Sequence, residues 1–97
     1  MEQPIHKLRV PDDVSDLVRT MHPELKKKVK VSLQMILSNP YRGKALQDEL
    51  KGLRSFRVSR FRIIYRISAK KQIDIIAIGP RERIYEETLR LISKKKK

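Results

Sequence analysis

Apolar positions along this chain follow two periods, and the change from one to the other marks out the elements. Ile5 to Val10 read as a short strand. Pro11, Asp12 and Asp13 follow, and aspartate at a helix start satisfies orphan N–H groups and suits the positive end of the dipole. Val14, Leu17, Val18 and Met21 then recur at helical spacing, which predicts a short helix through about Thr20. Pro23 fits the first turn of a second helix. That helix carries Leu25, Val29, Leu33, Ile36 and Leu37 on one stripe, with Lys26, Lys27, Lys28 and Lys30 mostly elsewhere, and Asn39-Pro40 ends it. The pair reads as a helical hairpin laid on something flat.

Residues 41–52 carry two glycines and no clear period. Beyond them the spacing predicts strands over 53–59, 61–68 and 72–79, with a turn at Ala69-Lys70-Lys71. The last strand holds Ile73, Ile75, Ile76 and Ile78 without alternation, as a central strand buried on both faces would. Gly79-Pro80 breaks it. A final helix is expected near Tyr85, with Tyr85, Leu89 and Ile92 on one stripe. The predicted order is β-α-α-β-β-β-α. It describes a small α+β domain over residues 1–93, with an antiparallel-rich sheet covered on one face by its helices, and a basic disordered tail at Lys94 to Lys97.

Composition narrows the chemistry. A chain of 97 residues supports one modest core. It has no cysteine and only two histidines, His6 and His22, which argues against a disulfide framework or a zinc cage. No apolar stretch approaches membrane-spanning length, and the start lacks a signal-peptide core, so the expectation is a cytoplasmic protein with no metal or small-molecule cofactor. The net charge is +13. It is distributed as about −1 over residues 1–20, +3 over 21–41, +6 over 42–66 and +5 over 67–97. The middle of the chain is thus basic without help from the tail, and the natural partner of such a surface is a polyanion.

The basic segment is RSFRVSRFRIIYRI, residues 54–67, with five arginines and no acid. Side chains alternate faces along a strand. Phe56 and Val58 therefore oppose Ser55 and Arg57, and Phe61, Ile63, Tyr65 and Ile67 oppose Arg62, Ile64 and Arg66. With the apolar faces under the helices, Arg57 and Arg62 share the open face. Guanidinium groups fixed on a sheet make a preorganised anion site, because their planar forks bind phosphate bidentately. Spacing alone equally allows solvated arginines paired with acids. GPRERIY, residues 79–85, adds Arg81, Arg83 and Tyr85 at the end of the apolar strand. A phenol among cations is a candidate general base, since nearby positive charge favours its ionised form. Packing in the core is the alternative for Tyr85. Glu86 and Glu87 are further candidate bases, and their simpler reading is as acids at a helix N-terminus.

The string LKGLRSFRVSRFRIIYRI, followed by IDIIAIGPRERIY, resembles the RelE/ParE family of type II toxins. The likeness lies in a Gly-Leu element, an arginine-rich strand pair and a Gly-x-Arg-x-x-x-Tyr ending, and the N-terminal strand and hairpin fit in length and order. The resemblance implies a toxin neutralised by a cognate antitoxin protein, acting either as a metal-independent endoribonuclease on mRNA in the ribosomal A site or as a ParE-like inhibitor of DNA gyrase. By motif, Arg57, Arg62, Arg81 and Tyr85 fall at the catalytic positions of the nuclease branch. Lys44, Lys51, Arg54, Arg60, Arg66 and Arg83 are the cations left to grip RNA. Two departures stand out. The usual glycine between the strands is Ser59, and a basic position of some members is Ser55. Arg54 or Lys51 could stand in for that cation, although Arg54 should face the other way.

Overall fold

The computed structural model describes residues 6–68 and 71–95, with only the backbone for the last two. Most of the expected 69–71 turn, Ile5, Lys96 and Lys97 lie outside the described residues. Strand β1 (Lys7–Arg9) leads into helices α1 (Asp12–Arg19) and α2 (Pro23–Ser38). After a 3-10 turn at Pro40–Arg42 come β2 (Lys44–Ala45) and a second 3-10 turn at Asp48–Leu50. Strands β3 (Arg54–Val58), β4 (Phe61–Ser68) and β5 (Gln72–Pro80) follow, and α3 (Arg81–Lys95) closes the order. The sheet runs β1-β5-β4-β3-β2, with β1 parallel to β5 and the other pairs antiparallel.

The sheet has two coverings. On one face Phe56, Val58, Phe61, Ile63, Tyr65, Ile73, Ile75 and Ile78 meet Val14, Val29 and Ile36 of the α1–α2 hairpin. On the other, Leu53, Ile64 and Ala77 meet Ile84 of α3. The expectation that all helices share one face is therefore corrected. Helix α3 follows β5 without an intervening residue, and it folds back over the face opposite the hairpin. The expected run of isoleucines on β5 is buried on both faces, as predicted, although β4 occupies the middle of the sheet.

Three local expectations change with this. Helix α3 begins at Arg81, four residues before Tyr85, because Pro80 fits the last strand position and leaves the helix free to start behind it. Its inward stripe is Ile84, Thr88 and Leu91, whereas Leu89 is 36% exposed. Thr88 is buried because its hydroxyl donates to the Ile84 carbonyl at 2.7 Å, which satisfies the polar group within the helix. At α1 the N-cap is Pro11 and makes no side-chain cap, so Asp12 and Asp13 act through the helix dipole.

The connection between α2 and β3 is tied down from the sheet. The phenol of Tyr65, fully buried on β4, donates to the Pro40 carbonyl at 2.6 Å and accepts from the Gly43 N–H at 3.0 Å. Gly43 has to be glycine here, since a Cβ would come 2.3 Å from the phenol oxygen. Burial raises the Tyr65 pKa above its ordinary 10.0, partly offset by the Gly43 N–H and the Arg54 charge.

Candidate active site

The two-residue loop Ser59-Arg60 joins β3 to β4, and this register decides where the arginines go. Arg57 pairs directly with Arg62, and Arg62 pairs in turn with Gly79. Directly opposed residues project from the same face with Cβ atoms about 4.5–5.5 Å apart. One rung therefore carries two guanidinium groups and a glycine. Pro80 and Arg81 come next along the chain, and the Arg81 N–H donates to the Arg60 carbonyl at 2.9 Å. That bond holds the start of α3 against the β3–β4 loop. Tyr85 lies one helical turn beyond Arg81, on the same side of α3. Its hydroxyl lies 3.1 Å from Ser55 Oγ, two residues before Arg57 on β3. Arg57, Arg62, Arg81 and Tyr85 thus gather at one end of one sheet face, at the edge of the area α3 covers.

The electrostatics are unbalanced. The ion pairs among the described residues join Arg19 to Asp16, Arg66 to Asp74 and Arg90 to Glu86. None includes Arg57, Arg62 or Arg81. Arg57 and Arg81 are exposed, Arg62 is half-buried, and none of the three is in an ion pair among the described residues, an arrangement that suits a bound polyanion. Gly79 lets the helix approach the strand here. A Cβ at this position would lie 2.9 Å from the Ile84 Cδ1 atom and 3.6 Å from a Glu87 carboxylate oxygen. Among the described residues no group of three or more His, Asp or Glu side chains is placed to hold a metal ion.

A model of the family described as the ParE toxin of the type II toxin–antitoxin system parDE matches residues 8–85. The chain belongs to the RelE/ParE family of type II toxins. Solved structures show the same fold. The toxin–antitoxin complex RelBE2 from Mycobacterium tuberculosis superposes with a TM-score of 0.68 at 24% identity, over 78% of this chain and 98% of that one. An arginine double mutant of Escherichia coli RelE in the free state gives 0.72 at 17% identity, over 94% and 97%. The archaeal RelE–RelB complex from Pyrococcus horikoshii gives 0.67 at 16%, over 81% and 98%. No curated protein matches the toxin by sequence.

The toxin's other predicted cations divide. Arg60 is exposed at the loop tip, and its backbone carbonyl is bonded to the Arg81 N–H. Arg54 lies on the opposite face, as its strand position demands. There its guanidinium stacks 5.2 Å from the Tyr41 ring centroid and donates to the Gly43 carbonyl at 3.4 Å, so it does not replace a cation missing at Ser55. Arg66 shares the cluster's face but lies two positions past Ile64, held to Asp74 at 3.2 Å, and Asp74 also accepts from Gln72 at 2.8 Å. Lys44 and Lys51 are exposed on the connection before β3, and Arg83 is exposed in the first turn of α3. Glu86 is paired outward with Arg90 at 3.8 Å. Phe56, Phe61 and Tyr65 pack in the core, as their shared apolar face predicts.

Sequence reasoning missed the partner of Tyr85. Ser55 read as a gap where a cation might have stood. In the structure it is 3% exposed and bonded to the phenol. No local signal marked it, because Ser55 shares the face of Arg57 that the alternation leaves open, and its burial depends on α3 folding over that face.

Proposed function

We propose that this toxin is an endoribonuclease that cleaves mRNA in the ribosomal A site without a metal ion. The observation carrying the reading is the rung of Arg57 and Arg62, flanked by Arg81 and Tyr85, with none of the three arginines in an ion pair among the described residues. RNA brings its own nucleophile, so the protein must orient the 2′-hydroxyl, remove its proton and stabilise the extra charge on phosphorus. Tyr85 is the general base that takes the 2′-hydroxyl proton. The 2′-oxygen then bonds to phosphorus, and the bond from phosphorus to the 5′-oxygen breaks. The departing oxygen takes a proton from water. The products are a 2′,3′-cyclic phosphate and a free 5′-hydroxyl. Arg57 and Arg62 hold the non-bridging oxygens, and Arg81 stabilises charge on the leaving oxygen. Losing one such donor from comparable sites lowers the rate by about 10²–10³.

The partners follow from the same surface. A cognate antitoxin protein is supported by the RelB-bound state of two of the similar structures, and ribosomal and messenger RNA by the basic middle of the chain. All of these partners are in the cytoplasm, and among the described residues no helix is long and apolar enough to cross a membrane. A second reading, inhibition of DNA gyrase without nuclease chemistry, is favoured by one specific observation: the family model matched is that of ParE.

Primer extension on mRNA from cells expressing the toxin, beside a supercoiling assay with purified gyrase, separates the two. Cuts within translated frames that disappear with Arg81→Ala and Tyr85→Phe support the nuclease. Blocked supercoiling with intact mRNA establishes the second reading and removes the first.

A further inference from the structure

We propose that Ser55 is a positioning residue for the cleavage reaction. Its hydroxyl holds the Tyr85 phenol at the height and angle where it meets the 2′-hydroxyl. The inference rests on the nuclease reading above and names a residue that reading does not use.

Three observations carry it. The phenol oxygen lies 3.1 Å from Ser55 Oγ, and this is the one side-chain hydrogen bond of either hydroxyl among the described residues. Ser55 is also firmly fixed. It is 3% exposed, and its backbone is paired on both sides, with Lys44 of β2 and Ile64 of β4. Finally, it shares its strand face with Arg57, two residues on. A phenol tied to Ser55 is therefore held at a set distance from the Arg57–Arg62 rung.

Chemistry adds a reason for a hydroxyl here. Tyr85 swings at the end of two rotatable bonds on a helix, and it is only partly buried by Leu53, Ile64 and Ile84. Packing alone leaves its oxygen free to move toward solvent. The Ser55 hydroxyl accepts from the phenol when the phenol is protonated, and by rotating it donates to the phenolate. The phenol thus keeps its partner in both protonation states. Small misplacements of a reacting group are costly in rate, on the order of 10²-fold for about 1 Å.

The test compares the wild type with Ser55→Ala, Ser55→Thr, Tyr85→Phe and the Ser55→Ala/Tyr85→Phe double variant. Single-turnover cleavage is measured on mRNA-programmed ribosomes with protein in excess, together with ribosome co-sedimentation and thermal melting. Ser55→Ala is expected to lower the saturated rate about 10- to 100-fold, with ribosome affinity changed less than about twofold. Ser55→Thr, which keeps the hydroxyl, recovers most of the loss. In the Tyr85→Phe background Ser55→Ala has no further effect. The 13Cζ resonance of Tyr85 in tyrosine-labelled protein shifts in Ser55→Ala, a readout that needs no catalysis. The proposal is overturned if Ser55→Ala cleaves at the wild-type rate, if folded Ser55→Thr is as poor as Ser55→Ala, or if the Ser55 and Tyr85 losses multiply independently. Cleavage that depends on Tyr85 but ignores Ser55 removes this inference alone. A wild type that cuts nothing removes the nuclease reading, and this inference with it.

Discussion

Arg57→Gln should make the free toxin more stable while disabling it. Arg57 and Arg62 are directly opposed, and among the described residues neither is in an ion pair. With Cβ atoms about 5 Å apart, the guanidinium groups can splay to a separation of roughly 6–8 Å. Two like charges at that distance in a near-aqueous dielectric repel by about 0.5–1 kcal/mol, and Arg81 adds to the total. Glutamine keeps most of the stem and removes the charge. For a domain of this size about 1 kcal/mol corresponds to 4–8 °C in Tm. The expected rise is therefore about 2–6 °C at low ionic strength, measured by calorimetry. Molar salt shortens the screening length to about 3 Å and should erase the gain. Added sulfate should stabilise the wild type more than the variant, because it binds the intact cluster more tightly. In the same preparation mRNA cleavage should fall about 10²–10³-fold. A variant that melts below the wild type at low salt, or whose gain survives molar salt, refutes the picture of unbalanced cations held together on one rung.

Tyr65→Phe removes the phenol that satisfies Gly43 and Pro40, leaving a buried N–H and a buried carbonyl unpaired. It should cost about 2–5 kcal/mol in denaturant unfolding. Because burial raises the Tyr65 pKa, the folded state keeps the proton that the unfolded chain releases near pH 10. The contribution is full below that pH and is lost as pH rises through the raised folded value, so the alkaline limb of the stability curve should flatten in Tyr65→Phe. Ser59 sits at φ 57 in the first position of the β3–β4 loop, a conformation suited to glycine. Ser59→Gly should therefore raise stability by about 0.5–1 kcal/mol, and an unchanged or lower Tm would contradict the assignment of strain there. Binding of the wild type to single-stranded RNA should weaken with salt, with a log–log slope of roughly −0.7 per phosphate contacted.

Much of this was legible in the residues, for physical reasons that differ by element. The alternation in 54–67 has period two, so it fixed which arginines share a face, and it correctly placed Arg54 opposite Arg57. The strain at Ser59 was visible because a tight turn between two strands demands positive φ, and serine supplies it poorly. The start of α3 was misjudged. Proline usually breaks regular structure, yet Pro80 ends an interior strand and sits directly before the helix. Once the helix begins at Arg81, Ile84 turns inward and Leu89 outward, which a stripe drawn from Tyr85 reverses. That α3 crosses to the face opposite the hairpin is a property of chain direction after β5, which no local pattern encodes. The Ser55–Tyr85 bond joins positions 30 residues apart and depends on that crossing.

Gly79 carries no charge and touches no substrate in the scheme above, yet it sets the spacing between the arginine rung and the helix bearing Tyr85. A single methyl at this position would press on Ile84 at 2.9 Å and lift the helix. In cells forced to survive production of the toxin, spontaneous escape mutants should therefore include replacements at this glycine alongside the arginines. Such lesions would leave every reactive group in the gene untouched, and an inspection confined to chemically active side chains would overlook them.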